Sequence, residues 1–190
     1  FTCGTPKELG VENYTLIILA GGQGKRVGGA DKGLLELDGK PLIAHLLDHL
    51  APSPTRIVIS ANRNQATYRH WADQVVSDER DGFQGPMAGL EAALNASQGL
   101  CLCLPCDLVQ PPGPMPGDLL KKATPDHVCV AQDPIRRQPL CLALYAEHWR
   151  DSLHTYLDSG GRSAYGWLDQ VPVHPIAVAT PLQNLNHKDI

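Results

Sequence analysis

Tyr14-Thr-Leu-Ile-Ile-Leu19 runs directly into Ala20-Gly-Gly-Gln-Gly-Lys-Arg-Val-Gly-Gly-Ala-Asp-Lys-Gly33, and this junction decides the fold. A short apolar run closed by glycines is the pattern of a strand buried on both faces. Downstream, Pro41 opens a segment in which Leu42, Ile43, Leu46, Leu47 and Leu50 recur at helical spacing, with proline at a tolerated first-turn position. Further strands are expected over 56–60, 74–77, 100–104, 128–131 and 140–145, with a final extended segment over 171–179. Helices are expected over 64–71, 87–96 and 147–157, and 110–117 reads as a Pro/Gly-rich loop. Alternating strands and helices predict an α/β fold: a single Rossmann-like domain, a mainly parallel sheet with helices on both faces. In such a sheet ligands gather at the carboxyl ends of the strands, here after Leu19, Ser60, Ser77 and Leu104.

The chain has 190 residues, which suits one such domain. We expect it over 14–190, with 1–13 as an N-terminal extension or expression remnant. The 43% apolar and 19% charged composition is that of a folding chain, not a disordered one. A net charge of −4 argues against broad binding to nucleic acid or an anionic membrane. No apolar stretch approaches a membrane span, and the first thirteen residues hold no signal-type apolar run, so the expectation is a cytoplasmic protein. The six cysteines lie mostly within apolar runs, which fits a reducing compartment. Cys103-Leu-Pro-Cys106 has the spacing of redox and zinc sites, but its context suits small buried residues at a strand end.

The glycine-rich loop after Leu19 carries the densest chemistry. Glycines let backbone N–H groups approach an anion, and Lys25, Arg26 and Lys32 add positive charge beside them. The dinucleotide fingerprint is absent, because from Gly22 and Gly24 its third glycine would fall on Val27. A flexible glycine-rich surface loop is the alternative to a phosphate cradle. Asp107 closes a strongly apolar strand, where it is either a turn former or a carboxylate for a Mg²⁺ ion shared with phosphates. Asn62 and Asp78 occupy equivalent strand ends and suit either a loop turn or a nucleoside contact. Gly85-Pro-Met-Ala-Gly89 is either a plain turn into a helix or a close approach of backbone to a planar base.

Together these residues resemble the molybdenum cofactor guanylyltransferases, the MobA type of nucleotidyltransferase. The resemblance rests on Leu19-Ala-Gly-Gly-x-Gly-x-Arg-x-Gly-Gly-x-Asp-Lys-Gly33, Leu37-Asp-Gly-Lys-Pro-Leu42, Ser60-Ala-Asn-Arg63, Gly85-Pro-Met-Ala-Gly89 and Pro105-Cys-Asp107, in family order over most of 14–107. It implies an enzyme that transfers GMP from GTP to molybdenum-bearing molybdopterin and releases diphosphate. Leu19, Ala20, Gly21, Gly22 and Lys32 would hold GTP, with Arg26 near its phosphates, Asp78 on the nucleoside and Asp107 on Mg²⁺. Arg26, Lys32 and Asp107 would be the catalytic set. The family often has Asn where Ser60 stands, so Ser60 and Asn62 share the candidacy for the base. Asn184-Leu-Asn186 resembles a family element, and Arg136-Arg-Gln-Pro139 is either an acceptor-facing segment or a solvated basic turn. Implied partners are GTP, the molybdopterin-type acceptor and transient contacts with cofactor-synthesis proteins or recipient molybdoenzymes, with the chain a monomer. A cytidylyltransferase or sugar-phosphate nucleotidyltransferase would share the loop and the metal Asp. A non-catalytic nucleotide-binding accessory protein is the alternative from another class, and the joint presence of Lys32 and Asp107 speaks against it.

Overall fold

The structure is a computed structural model that describes residues 13–22 and 29–185. The extension over 1–12 and the loop cations Lys25 and Arg26 lie outside the described residues.

A seven-stranded sheet forms the centre. Its strands are β1 (Thr15–Leu19), β4 (Arg56–Ser60), β5 (Gln74–Val76), β6 (Leu100–Pro105), β7 (Val128–Gln132), β8 (Arg137–Tyr145) and β9 (Val173–Ala177), in the order β5-β4-β1-β6-β8-β7-β9. The pairs β5/β4, β4/β1, β1/β6 and β7/β9 are parallel. Only β8 is reversed, running antiparallel to both β6 and β7. A mainly parallel sheet was expected, and this is one.

The alternation along β1 shows why both faces are covered. Side chains of a strand point alternately to opposite sides. Leu16 and Ile18 join a cluster with Ile43 and Leu46 of α1 (Leu42–Asp48) and with Met115 and Leu119 of α4 (Pro114–Lys122). Ile17 and Leu19 join the opposite cluster with Leu90 and Leu94 of α3 (Pro86–Asn95) and with Trp149 and Leu153 of α5 (Ala146–Asp158). An uninterrupted apolar strand is therefore required, since either face exposed would leave one layer without a partner. A one-turn α2 (Gln65–Tyr68) and a short α6 (Ala164–Leu168) complete the helices. No helix among the described residues is long and apolar enough to cross a membrane.

Several expectations are corrected. The 110–117 loop gives way at Pro114 to α4, because Pro114 and Pro116 fall in the first turn, where no intrahelical N–H is needed. The strand expected over 140–145 begins earlier, at Arg137, and holds Pro139; the register of its pairing with β7 shifts between Val130 and Ala131, and that irregularity accommodates the proline. The helix expected over 64–71 is a single turn. The Asp38-Gly39 step forms an unforeseen hairpin between β2 (Glu36–Leu37) and β3 (Lys40–Pro41), with both central residues at positive φ, 52° and 74°. Among the described residues Cys101, Cys103, Cys106, Cys129 and Cys141 are free and buried. Burial pushes the Cys103 and Cys106 thiols well above their ordinary value, which makes them poor nucleophiles and fits the packing reading of that pair.

Candidate active site

The carboxyl ends of β1, β4, β5 and β6 converge on one cavity. Backbone bonds carry the parallel register past each strand: Ala20 N–H donates to Ser60 O at 2.8 Å, Ala61 N–H to Val76 O at 2.8 Å and Cys106 N–H to Leu19 O at 3.2 Å. The first residues after each strand are thereby held side by side. The cavity, about 610 Å³, is lined by Leu19, Ala20, Gly21 and Gly22 from β1, by Ser60 and Asp78, and by Lys32 and Asp107. Eight residues singled out from sequence thus share one wall.

Lys32 and Asp107, 75 positions apart, meet in an ion pair with Nζ 3.0 Å from Oδ2. Lys32 sits in a 3₁₀ turn (Lys32–Leu34) that follows the glycine loop. Gly33 behind it packs against Tyr68, whose hydroxyl would lie 2.5 Å from a Cβ at that position. The Asp107 side chain is 13% exposed, and Leu185 N–H donates to its backbone oxygen at 3.1 Å. That bond draws the C-terminal segment in and sets Asn184 on the cavity wall.

Asn62 is not on the wall of the first cavity but of a contiguous one of about 410 Å³, shared with Gly21, Gly22, Asp78 and Phe83. Its Nδ2 donates to Asp78 Oδ2 at 3.1 Å, and Asp78 N–H donates back to Asn62 Oδ1 at 2.9 Å. Burial raises the Asp78 carboxyl above the ordinary aspartate value; the Asn62 hydrogen bond opposes this and the Glu91 charge adds to it. Ser60 is buried and its Oγ has no hydrogen-bond partner among the described residues. Such a hydroxyl costs stability unless a ligand satisfies it. Gly89 of α3 lies against it: a Cβ there would stand 2.5 Å from Ser60 Oγ and 3.6 Å from Asp78 Oδ1. Gly85, at φ +84°, makes the turn into α3 and lines the same cavity with Pro86, which fits the close-approach reading of that motif.

The loop carrying Asp78 is anchored by Arg80, which forks onto buried Glu91 with two bonds of 2.7 Å and also donates to Asp158 at 2.8 Å. His154 Nδ1 lies 2.7 Å from Glu91 as well. Burial acts to raise the Glu91 carboxyl, but hydrogen bonds from Arg80 and His154 outweigh it and hold the group below its usual value.

Phe83, Leu140 and Asn184 line the cavity without having been derived from residue chemistry. Phe83 is 46% exposed, and the signal for it was an aromatic residue two positions before the Gly85-Pro86 turn. Arg136 and Arg137 are not on the cavity wall. The turn before them is organised by Asp133, which accepts from Ile135 and Arg136 N–H and from Gln138 Nε2, and Arg137 faces Asp169 at 3.6 Å.

A glycine turn, a cation and a carboxylate gathered at the ends of parallel strands define a nucleotide-binding α/β protein of the phosphate-handling class. A model of the MobA-like NTP transferase domain matches residues 16–172. A molybdenum cofactor guanylyltransferase of Shewanella sediminis is 40% identical over 166 residues, covering 86% of this chain and 83% of that protein. One from Shewanella frigidimarina is 38% identical over 165 residues, covering 85% and 82%. Among solved structures, molybdopterin-guanine dinucleotide biosynthesis protein A from Archaeoglobus fulgidus superposes with a TM-score of 0.69 at 26% identity, over 86% of this chain and 83% of that one. A nucleotidyl transferase from Methanothermobacter shares the fold at a TM-score of 0.71 and 20% identity, over 94% of each chain. The chain belongs to the MobA-like NTP transferase family.

Proposed function

We propose that the protein is a molybdenum cofactor guanylyltransferase, which transfers GMP from GTP to the molybdenum-bearing pterin and releases diphosphate. The observation that carries this reading is the meeting of Lys32 and Asp107 beside the glycine turn of β1, opposite the Asn62–Asp78 pair. The relatives named molybdenum cofactor guanylyltransferase support the choice of nucleotide and acceptor.

In the reaction, a terminal phosphate oxygen of the acceptor attacks the α-phosphorus of GTP, an O–P bond forms, and the α–β bridge breaks toward diphosphate. The attacking oxygen is already anionic, so no base is needed and the protein's task is alignment and charge stabilisation. Lys32 neutralises charge on the phosphates. Leu19 through Gly22 of the β1 turn line the space that receives them, with Arg26 of the same loop as a further cation. Asp78, Asn62 and the unpartnered Ser60 hydroxyl hold the nucleoside, the Asp78 carboxylate accepting from guanine N–H groups. Asp107 would hold Mg²⁺. The donor set fits that ion: no cluster of three or more ligating side chains exists among the described residues, and Mg²⁺ on a nucleotide takes one or two carboxylates, with phosphates and water filling the rest. Mg²⁺ held there would supply Lewis-acid charge stabilisation and a template for the phosphates. We further propose a monomer working in the cytoplasm, with transient contacts to cofactor-synthesis proteins or recipient molybdoenzymes.

Calorimetry with GTP, CTP and UTP tests the nucleotide, alongside Asp107→Asn. The expected outcome is GTP-selective binding by the wild type and turnover reduced on the order of a hundredfold in the variant, whose fold persists because the lost ion pair is partly exposed. CTP-selective binding, or unchanged Mg²⁺-dependent turnover in the variant, would overturn the assignment.

A further inference from the structure

Arg63 is assigned no role above, yet it reaches across to both described flanks of the glycine-rich loop. Its Nη1 donates to Gly29 O at 2.5 Å, and its Nη2 donates to Ala30 O at 2.9 Å and to Gly22 O at 3.4 Å. Gly22 ends the turn after β1, and Gly29 and Ala30 lead into Lys32. One guanidinium therefore ties together the two points between which the loop spans 23–28. From this we propose that Arg63 is the positioning residue of the phosphate site: it clasps Gly22 on one flank of the glycine-rich loop to Gly29 and Ala30 on the other, and thereby sets the end of the β1 turn and the Lys32 ammonium for the nucleotide.

Side-chain geometry and the unpaired neighbours support the assignment. The planar fork of an arginine has five N–H donors in fixed geometry, which suits simultaneous engagement of several carbonyls where a lysine would offer a single point. No carboxylate among the described residues forms an ion pair with Arg63, and Arg63 lines the cavity that also exposes Gly21, Gly22, Asn62 and Asp78. In a trans peptide the C=O and the following N–H point in opposite directions. Drawing the Gly29 and Ala30 carbonyls toward Arg63 turns the N–H groups of Ala30 and Asp31 away from it, and neither meets an acceptor among the described residues.

The neighbouring side chains build the same bracket. Asn64 is in the left-handed conformation, φ 52° and ψ 28°, which asparagine tolerates better than most residues. The chain thus turns tightly after Arg63, and Asn64 Nδ2 donates to Asp31 Oδ2 at 3.0 Å. Tyr68 of α2 donates to the other oxygen of the buried Asp31 carboxylate. Arg63, Asn64 and Tyr68 together fix Gly29, Ala30 and Asp31, the three residues before Lys32. The Ser60-Ala-Asn-Arg63 segment accordingly contributes twice, with Ser60 and Asn62 directed to the nucleoside and Arg63 to the loop.

This inference rests on the nucleotide reading above, and its test separates the two. GTP binding is measured by calorimetry for the wild type, Arg63→Ala and Arg63→Lys, with melting temperature and near-UV circular dichroism recorded for each, and then again with added guanidinium chloride at low millimolar concentration. We expect Arg63→Ala to retain its near-UV spectrum while its GTP dissociation constant rises about ten- to hundredfold, the worth of hydrogen bonds from a charged group. Guanidinium should restore part of that affinity saturably, which relief of a general folding defect would not do. Arg63→Lys should be intermediate, since it keeps the charge and loses the fork. GTP affinity within twofold of wild type in Arg63→Ala overturns the proposal, as does a loss that guanidinium leaves untouched. Should Arg63→Ala fail to fold, Arg63→Lys decides: wild-type GTP affinity overturns the fork geometry, and weakened affinity with a native spectrum supports it. A wild type that binds no GTP refutes the nucleotide reading itself, a separate outcome.

Discussion

Gly89 faces Ser60 Oγ, the one buried side-chain oxygen on the cavity wall without a hydrogen-bond partner among the described residues, so replacing Gly89 with alanine perturbs fold and site in separable ways. Glycine in a helix interior costs about 0.5–1 kcal/mol relative to alanine, and that gain alone would make Gly89→Ala stabilising. Against it, the new Cβ would stand 2.5 Å from Ser60 Oγ and 3.5 Å from Ser60 Cβ, with Ser60 almost wholly buried. Overpacking of this kind costs about 1–3 kcal/mol. The net expectation is a loss of about 0–2 kcal/mol, and at roughly 2–4 °C per kcal/mol for a domain of this size it should be readable in a melting curve. Ser60→Ala removes the clashing atom and leaves only an ordinary carbon contact. It also deletes a buried hydroxyl with no partner, so by itself it should be neutral or stabilising in the free protein. The double variant should therefore melt above Gly89→Ala and at or above wild type. The coupling between the two substitutions should clearly exceed the ~0.5 kcal/mol expected of independent sites. GTP affinity behaves differently: the added methyl still occupies nucleoside space and the hydroxyl is gone, so the double variant remains a poor binder. Thermal melts of the four proteins with calorimetric GTP titrations test this. Additive melting effects, or wild-type GTP affinity in Gly89→Ala, would refute the contact between α3 and β4 as the shape-setting wall of the site.

Acid conditions should expose two carboxylates of opposite character. Burial raises the Asp78 carboxyl, and a carboxylate that accepts from guanine must be ionised, so GTP affinity should fall as pH drops, earlier than an ordinary aspartate would titrate; calorimetry at stepwise lower pH should show the fall in wild type before the ordinary aspartate range is reached and not in Asp78→Asn, and a wild-type profile flat down to that range would contradict the role. Burial acts upward on Asp133 too, but N–H donors from Leu182 and Arg136, with Gln138 and Ile135, prevail and hold it at about 2. Its folded value lies below the unfolded value of about 3.9, so its stabilisation is complete above pH ~4 and is lost as pH falls from about 4 to about 2. Urea midpoints across that window should fall more steeply for wild type than for Asp133→Asn, and parallel curves would contradict it.

The strand-end residues were legible because their signal is local. An apolar run fixes the strand, and a polar residue at its end or within two positions of it, whether Ser60, Asp78 or Asp107, is delivered to the carboxyl edge. Glycine and cation chemistry at the end of β1 is equally local. What escaped depends on partners remote in sequence. The role of Arg63 exists only because it meets carbonyls 33 to 41 positions away, and nothing around it in the chain announces that. Phe83 and Leu140 reach the cavity through the loop pinned by Arg80 and through the reversed strand β8, and the direction of β8 is set by pairing with β6 and β7 rather than by its own composition. Proline misled twice in the same way: Pro114 began a helix within a stretch read as loop, and Pro139 sat inside a strand whose pairing was irregular enough to hold it.

Transfer of GMP from GTP onto a phosphate of the molybdopterin-type acceptor carries the α-phosphorus with it. GTP labelled at the α-phosphorus, incubated with the wild-type protein, Mg²⁺ and that acceptor, should therefore leave its label in the pterin product with one diphosphate released per transfer; GTP binding without diphosphate release, with all label left in GTP, would rule the transfer out.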